Sequence, residues 1–418
     1  MKKNLLTAIL TGTMLVSMLA GCGKGSDDTK SDGDSSNADG KTVVTLWHSN
    51  VSPEVEPFEE MLAEFNEQSK DVYVETEWVA REEQTKQLTI GNMAGELPDM
   101  VYVDNPEVIS YGEMGVFQDI KELYDAWDEN QLLESIINSS CYDGKMYGIP
   151  YSCNNLELFY NIDMFEEAEL EPPATWDELV SCAEALTKDG VYGMAFSAIK
   201  NAECTFQFMP FLWSAEGDWT SMDSEESIKA MTYYSDFVQK KLANKEVLNW
   251  SQADVCKQFG SGNCAMMING SWNVGTLRND YSDLNFGVVD IPIDKVNASC
   301  LGGESICITK DGNAEACMEF IEYFVGKDIS GDYTKSISKF SPRSDVDNDE
   351  LFGDDPVMKA FADALSFTYP RGPYPKWTEV DNAIIEACQA SLTSEKTPEQ
   401  ACKDAAAAIS EIQASLDE

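Results

Sequence analysis

Two tryptophans stand where the chain offers little else that is apolar. Trp272 follows the run Cys264-Ala265-Met266-Met267-Ile268 and the turn signal Asn269-Gly270, and sits among Ser271, Asn273 and Gly275. Trp377 closes the stretch "FTYPRGPYPKW", with Tyr369, Arg371 and Tyr374 just before it. A flat apolar face beside small polar groups makes a ligand platform. The plainer alternative is a loop aromatic folded back on its own strand. Catalytic options are thin. His48 is the only histidine, so a His-rich metal site has little to work with and any Ser-His-Asp set must use it. The twelve cysteines contain no Cys-x-x-Cys, and no motif asks for a metal or cofactor.

The elements that would hold these residues alternate. "KTVVTLWHS" reads as a buried first strand, and Ser52-Pro53 as an N-cap with proline at the first helical position. Phe58, Leu62 and Phe65 continue on one helical face. "VYVETEWV" and "LPDMVYVD" supply two more strands, the last ending in Asp104-Asn105-Pro106. Strand, helix, strand, helix, strand predicts parallel pairing in an open α/β sheet. Ligands bind such sheets outside the carboxyl ends of the strands, where Trp47, His48, Asp104 and Asn105 all fall. A second unit starts near Ile149-Pro150. It includes "PPATWDELVSCAEAL", where Thr175 and Glu178 predict a capping box. "LGGESICITK" gives two glycines and a strand, "AEACMEFIEYFVG" a helix, and after Pro356 the chain reads as helical apart from the aromatic loop.

The ends and the charge bound the function. Lys2-Lys3 followed by an apolar stretch from Leu5 to Leu19 reads as a secretory leader, too short to span a membrane comfortably. Gly23 to Gly40 is nearly all Gly, Ser and Asp, has little to bury, and reads as a flexible tether. A formal net charge of -45 argues against nucleic acid and anionic lipid as partners of the folded part. Cysteines such as Cys182, Cys307 and Cys317 stand where small apolar residues belong and read as buried thiols. In an exported protein that usage fits an anaerobic habitat.

Leu19-Ala20-Gly21-Cys22 resembles a lipobox, which implies acylation of Cys22. An ordered set of segments resembles the carbohydrate-binding solute-binding proteins of ABC importers: "TLWHS", "GELPDMVYVD", "YDGKMYGIPYSCNNLELFYNIDMF" leading into "PATWDEL", "CAMMINGSW", "LGGESICITK" and "WTEVDNAIIEAC". The resemblance implies a two-lobed, type II α/β fold with two open sheets joined by a hinge. It divides the chain into a leader (1–21), a tether (22–40), an N-terminal lobe (41–152 plus 303–352) and a C-terminal lobe (153–302 plus 353–418). It further implies a monomer on the outer face of a bacterial membrane, of Gram-positive type, held by its lipid anchor alone. There it would capture a carbohydrate by hinge closure and pass it to permease subunits, without catalysis.

Sugar recognition calls for aromatic faces and planar polar side chains. By resemblance, Trp272 and Trp377 would stack on the ligand, flanked by Tyr369 and Tyr374. Asn154 stands where relatives carry a sugar-contacting glutamate. Trp47, His48, Asp104, Asn105 and Gln207 complete the candidate set, with Trp213 and Glu216 beside it, and Gly303 would allow close backbone approach. For Asp104 and Asn105 the alternative is simple helix capping. Two rival readings remain open. An acidic sugar or other non-carbohydrate solute would need Arg371 or Arg343 in the cleft. A surface glycoside hydrolase would need two carboxylates ~5–10 Å apart, for which Asp104, Glu157 and Glu216 are available without any spacing that singles them out.

Overall fold

The computed structural model describes residues 36–416 apart from residue 38. The leader, Cys22 and most of the tether lie outside the described residues. The last tether residues are ordered: Asn37 Oδ1 accepts from the backbone N–H groups of Asp39 and Lys41, and Ser36 bridges to Thr42.

Period-two burial builds β1 (Thr42–His48), whose Val44, Leu46 and His48 point into the core. Next come α1 (Val55–Gln68), β2 (Val72–Trp78), α2 (Arg81–Ala94), β3 (Met100–Asp104) and α3 (Asn105–Glu113). β1 pairs in parallel with both β2 and β3, as the alternating pattern requires. One boundary differs from the sequence reading. A turn closed by Glu54 N–H on Val51 O takes up Ser52 and Pro53, so α1 starts at Val55 with Glu54 as its N-cap.

The chain then passes through β4 (Ile149–Pro150) into a second set of elements. These are β5 (Leu156–Asn161), α4 (Trp176–Leu186), β6 (Tyr192–Ala195), α5 (Ala202–Ser214), α6 (Glu225–Gln239), β7 (Cys264–Gly270), α7 (Asn273–Asp280) and β8 (Phe286–Val289). They form a sheet in the order β8-β5-β7-β6. Before α4 the expected capping box is made: Glu178 N–H donates to Thr175 Oγ1 and Thr175 N–H donates to Glu178 Oε2. After β9 (Ser299–Leu301), β10 (Glu304–Ile308) joins the first sheet antiparallel to β3, giving β2-β1-β3-β10-β4. α8 (Ala314–Phe324) and α9 (Lys327–Ser336) cover that sheet. Thr368–Pro370, read as loop from sequence, forms β11 and pairs in parallel with β9. α10 (Trp377–Leu392) and α11 (Pro398–Ala414) close the second body against α5 and α6.

Three segments cross between the sheets side by side. Cys153 exchanges both backbone hydrogen bonds with Phe340, and Asn154 exchanges both with Gly302. Gly303 adopts φ +139°, and a Cβ there would lie 2.3 Å from Ser152 O, so only glycine fits.

All eleven described cysteines are free thiols, ten buried and Cys141 half-buried. Burial pushes the Cys141 thiol up as well, and Cys256 up to about 12. Among the eleven described thiols, a thiol-reactive dye is therefore expected to label only Cys141, slowly, in the folded protein, and all eleven after denaturation. Fast labelling of several native thiols would contradict this packing.

Candidate functional site

The crossing strands gather polar and aromatic side chains from both bodies. Asn105 begins α3 and is buried; its N–H donates to Gly303 O, and its Oδ1 accepts from Ser305 Oγ. Asn105 Nδ2 finds no protein partner among the described residues, and it lies 3.0 Å from where a Gly303 Cβ would be. At Gly302 the corresponding position is crowded by Asn154 Oδ1 at 2.2 Å and Phe206 Cζ at 2.9 Å. Asn154 and Phe206 thus close on Gly302, and Asn105 on the neighbouring Gly303. Arg371 adds its guanidinium, 4.4 Å above the Phe206 ring, with Nη1 3.4 Å from Ala202 O and Nε without a protein partner.

The aromatic side chains sort differently from the sequence reading. β7 runs on through Asn269 and Gly270 instead of turning there. The Asn269 side chain is satisfied in place: Nδ2 donates to Gln252 O, and Oδ1 accepts from Gly270 N–H and Asn273 Nδ2. Trp272, half-buried, lays its ring over Gly270, where a Cβ would come within 1.8 Å of it, and stacks with Phe206 at 6.2 Å. Trp377 is 2 % exposed and sits edge-on to Trp219, so it offers no open face. Tyr374 lies 5.2 Å from Trp219. Tyr369 is exposed and packs 5.3 Å from the nearly buried Trp213.

A charged cluster that the sequence did not flag lies behind Asp104. That residue is the N-cap of α3 but makes no side-chain cap; its carboxylate binds Arg81 at 2.9 Å. Arg81 also approaches Glu304 at 3.5 Å, and Glu304 in turn binds buried Lys339 and accepts from Ser152 Oγ. Lys339 reaches Glu54 at 2.9 Å. The cluster borders a polar cavity of about 20 Å³, lined by Asn50, Tyr102 and Tyr151 among others, which is room for one water. Arg81 opens the helix after β2, so the strand-end rule that picked out His48 and Asp104 reaches it too. Lys339 sits in "SISKFSPRS" with no distinguishing signal. In the first turn of α3, burial and then the nearby Asp104 push Glu107 up to about 7.

The remaining candidates are engaged elsewhere by the protein or buried in its core. His48 is buried against Phe58, and burial lowers its pKa, so it is a neutral core residue. Trp47 donates its Nε1 hydrogen to Glu77 Oε2 on β2. Gln207 is fully buried and donates to Ile268 O. Arg343 is also buried, bound to Asp345 and to the carbonyls of Val325 and Glu129, which makes it a structural cation. Of the carboxylates available to a hydrolase, Glu157 is fully buried, accepts from Ile291 N–H, and has its pKa raised by burial. Glu216 is exposed and pairs with Lys295.

A model of the family described as bacterial extracellular solute-binding protein matches residues 60–360. The maltotriose-binding protein of Pyrococcus abyssi is 24% identical over 369 residues, 83% of this chain and 78% of that protein. The maltooligosaccharide ABC transporter solute-binding lipoprotein of Streptococcus pneumoniae R6 is 24% identical over 432 residues, 97% of this chain and 96% of its own. Among solved structures, an ABC transporter solute-binding protein of Thermotoga lettingae bound with alpha-D-tagatose superposes with a TM-score of 0.82 at 25% identity, covering 88% of this chain and 99% of that one.

Proposed function

Because the chain belongs to the bacterial extracellular solute-binding protein family and has its two-lobed type II fold, we propose that it captures a sugar or oligosaccharide for an ABC importer. The lobes would be 41–152 plus 303–352 and 153–302 plus 353–418, which agrees with β10 leaving the second body to join the first sheet. Ligand would be held at the crossing strands and would favour the closed arrangement by its differential affinity. The closed form would then dock on the permease, with no bond made or broken in the ligand. Cys22 would carry the lipid anchor at the outer membrane face of a Gram-positive cell; the lipobox and the lipoprotein relative support that placement.

The observation that carries the reading is the set around Gly302 and Gly303. The aromatic pair Phe206 and Trp272 adjoins Arg371, whose buried Nε lacks a protein partner, and Asn105 Nδ2 beside Gly303 lacks one as well. Unpaired buried polar groups cost about 1–3 kcal/mol each, and sugar hydroxyls supply the missing partners while the ring's C–H face meets the aromatics. Thermal shift with maltotriose, mannotriose, galactooligosaccharides and tagatose tests this: at least one should raise the melting temperature. Silence towards all carbohydrates, with a response to peptides, would refute the substrate class.

A further inference from the structure

Two of the free thiols face each other across a helix contact. Cys204 lies on α5, two residues before Phe206, and Cys388 lies in the C-terminal half of α10. Both are fully buried in the core of the second body, where the two helices pack together. A hydrogen bond joins the two thiols. Three other buried thiols turn instead to carbonyls: Cys153 to Phe340 O, Cys182 to Glu171 O and Cys402 to Ser227 O. Cys402 decides the pairing, because it approaches Cys388 from α11 but spends its hydrogen on Ser227 O.

We propose that Cys204 and Cys388 form a disulfide site, closed when the chain folds beside a small-molecule disulfide and left as two thiols when it folds without one. Thiols already in contact have only the short step to the ~2.05 Å S–S distance left. The exchange balances. The Cys388 thiolate attacks one sulfur of the small disulfide, forming a mixed disulfide and releasing one small thiol. The Cys204 thiolate then attacks the Cys388 sulfur, forming the S–S bond and releasing the second small thiol. Two cysteine thiols are oxidised, one small disulfide is reduced, and the two cysteine protons end on the released thiols. Burial sets the timing. Neither sulfur meets solvent in the folded protein, and enclosure holds the Cys388 thiol well above its ordinary range, so almost no thiolate is there to start the exchange. The unfolded chain exposes both. The bond therefore records the redox condition at folding. Once made, it ties the helix that carries Phe206 to the helix that opens at Trp377, and it closes a long loop in the unfolded chain.

The test refolds the purified full chain from urea in two buffers, one with dithiothreitol and one with reduced and oxidised glutathione. Peptide mapping by mass spectrometry should find Cys204 linked to Cys388 only after the glutathione refold. That product should melt about 5 °C or more above the dithiothreitol product. Folded, reduced protein held overnight in the glutathione buffer should stay unlinked. Cys204→Ala should abolish the linked peptide and the rise in melting temperature together, and Cys388→Ala takes its place should that variant fail to fold. A Cys388–Cys402 link, glutathione adducts without a link, or a linked protein that melts no higher than the reduced one overturns the proposal. Ready linking of the already folded protein overturns its timing.

Discussion

Lys339→Ala is expected to lower the unfolding free energy by about 3–5 kcal/mol, the cost of stripping a buried ion cluster of its central cation. Lys339 is 4% exposed at its side chain and lies 2.9 Å from Glu54 and 3.0 Å from Glu304, which are themselves largely buried. Alanine would leave Glu54 without its close cation and Glu304 with only Arg81, 3.5 Å away. Replacing charges on both sides at once, in Lys339→Met with Glu304→Gln, should recover part of the loss, because fewer unpaired charges remain buried. Urea denaturation reads this as a lower midpoint with an unchanged slope. A loss below 1 kcal/mol would mean that water reaches the cluster.

The same cluster fixes the sign of a pH dependence. Desolvation is the largest influence on Glu304 and pushes it up, but Lys339, Arg81 and Ser152 together hold it below its usual 4.5. Its contribution is present above pH 4.5 and is lost as pH falls through the lowered value. For Lys339 desolvation acts downward, yet Glu304 and Glu54 keep it above 10.5. Its contribution is present below pH 10.5 and is lost as pH rises through the raised value. The gap between wild type and Lys339→Ala should therefore be widest between these limits and shrink at both extremes. The location gives the cluster a functional bearing. Lys339 precedes Phe340, Ser152 precedes Cys153 and Glu304 follows Gly303, so it ties all three crossing segments on the side of the first sheet.

Trp272→Ala should weaken the responding sugar by about 2–3 kcal/mol, some 30- to 150-fold, on the scale of an interface hot spot. The ring lies flat over Gly270 and beside Phe206, an orientation suited to the face of a sugar ring. Stability should fall too, by about 1–3 kcal/mol, since the half-buried indole packs on the core of the second body. Trp272→Phe should keep most of the affinity. Calorimetric titration and melting curves separate the two effects, and full affinity in a folded Trp272→Ala protein would remove the tryptophan from the site.

Much of the fold was legible because it follows from local rules. Period-two burial set β1, the Thr175–Glu178 pairing set the start of α4, and the conformational demand of a close crossing set Gly303. The buried thiols were likewise readable, since they occupy apolar positions of helices and strands. The aromatic side chains show where local rules stop. Trp272 and Trp377 are the same residue type, each at the start of a helix beside glycine and polar neighbours. Trp219, far away in sequence, covers Trp377, whereas the missing Cβ of Gly270 lets Trp272 lie flat across the end of its strand. His48 and Asp104 both end parallel strands, yet one turns into the core and the other meets Arg81 from the following helix. Sequence by itself determined which residues are apolar, where the backbone must bend and which family the order of segments resembles. Only the tertiary structure decided which polar groups the protein leaves unpaired, because a hydrogen-bond partner or a covering ring comes from elements distant in the chain. Lys339, which carries no signal in the sequence, owes its buried ion pairs to that non-local packing.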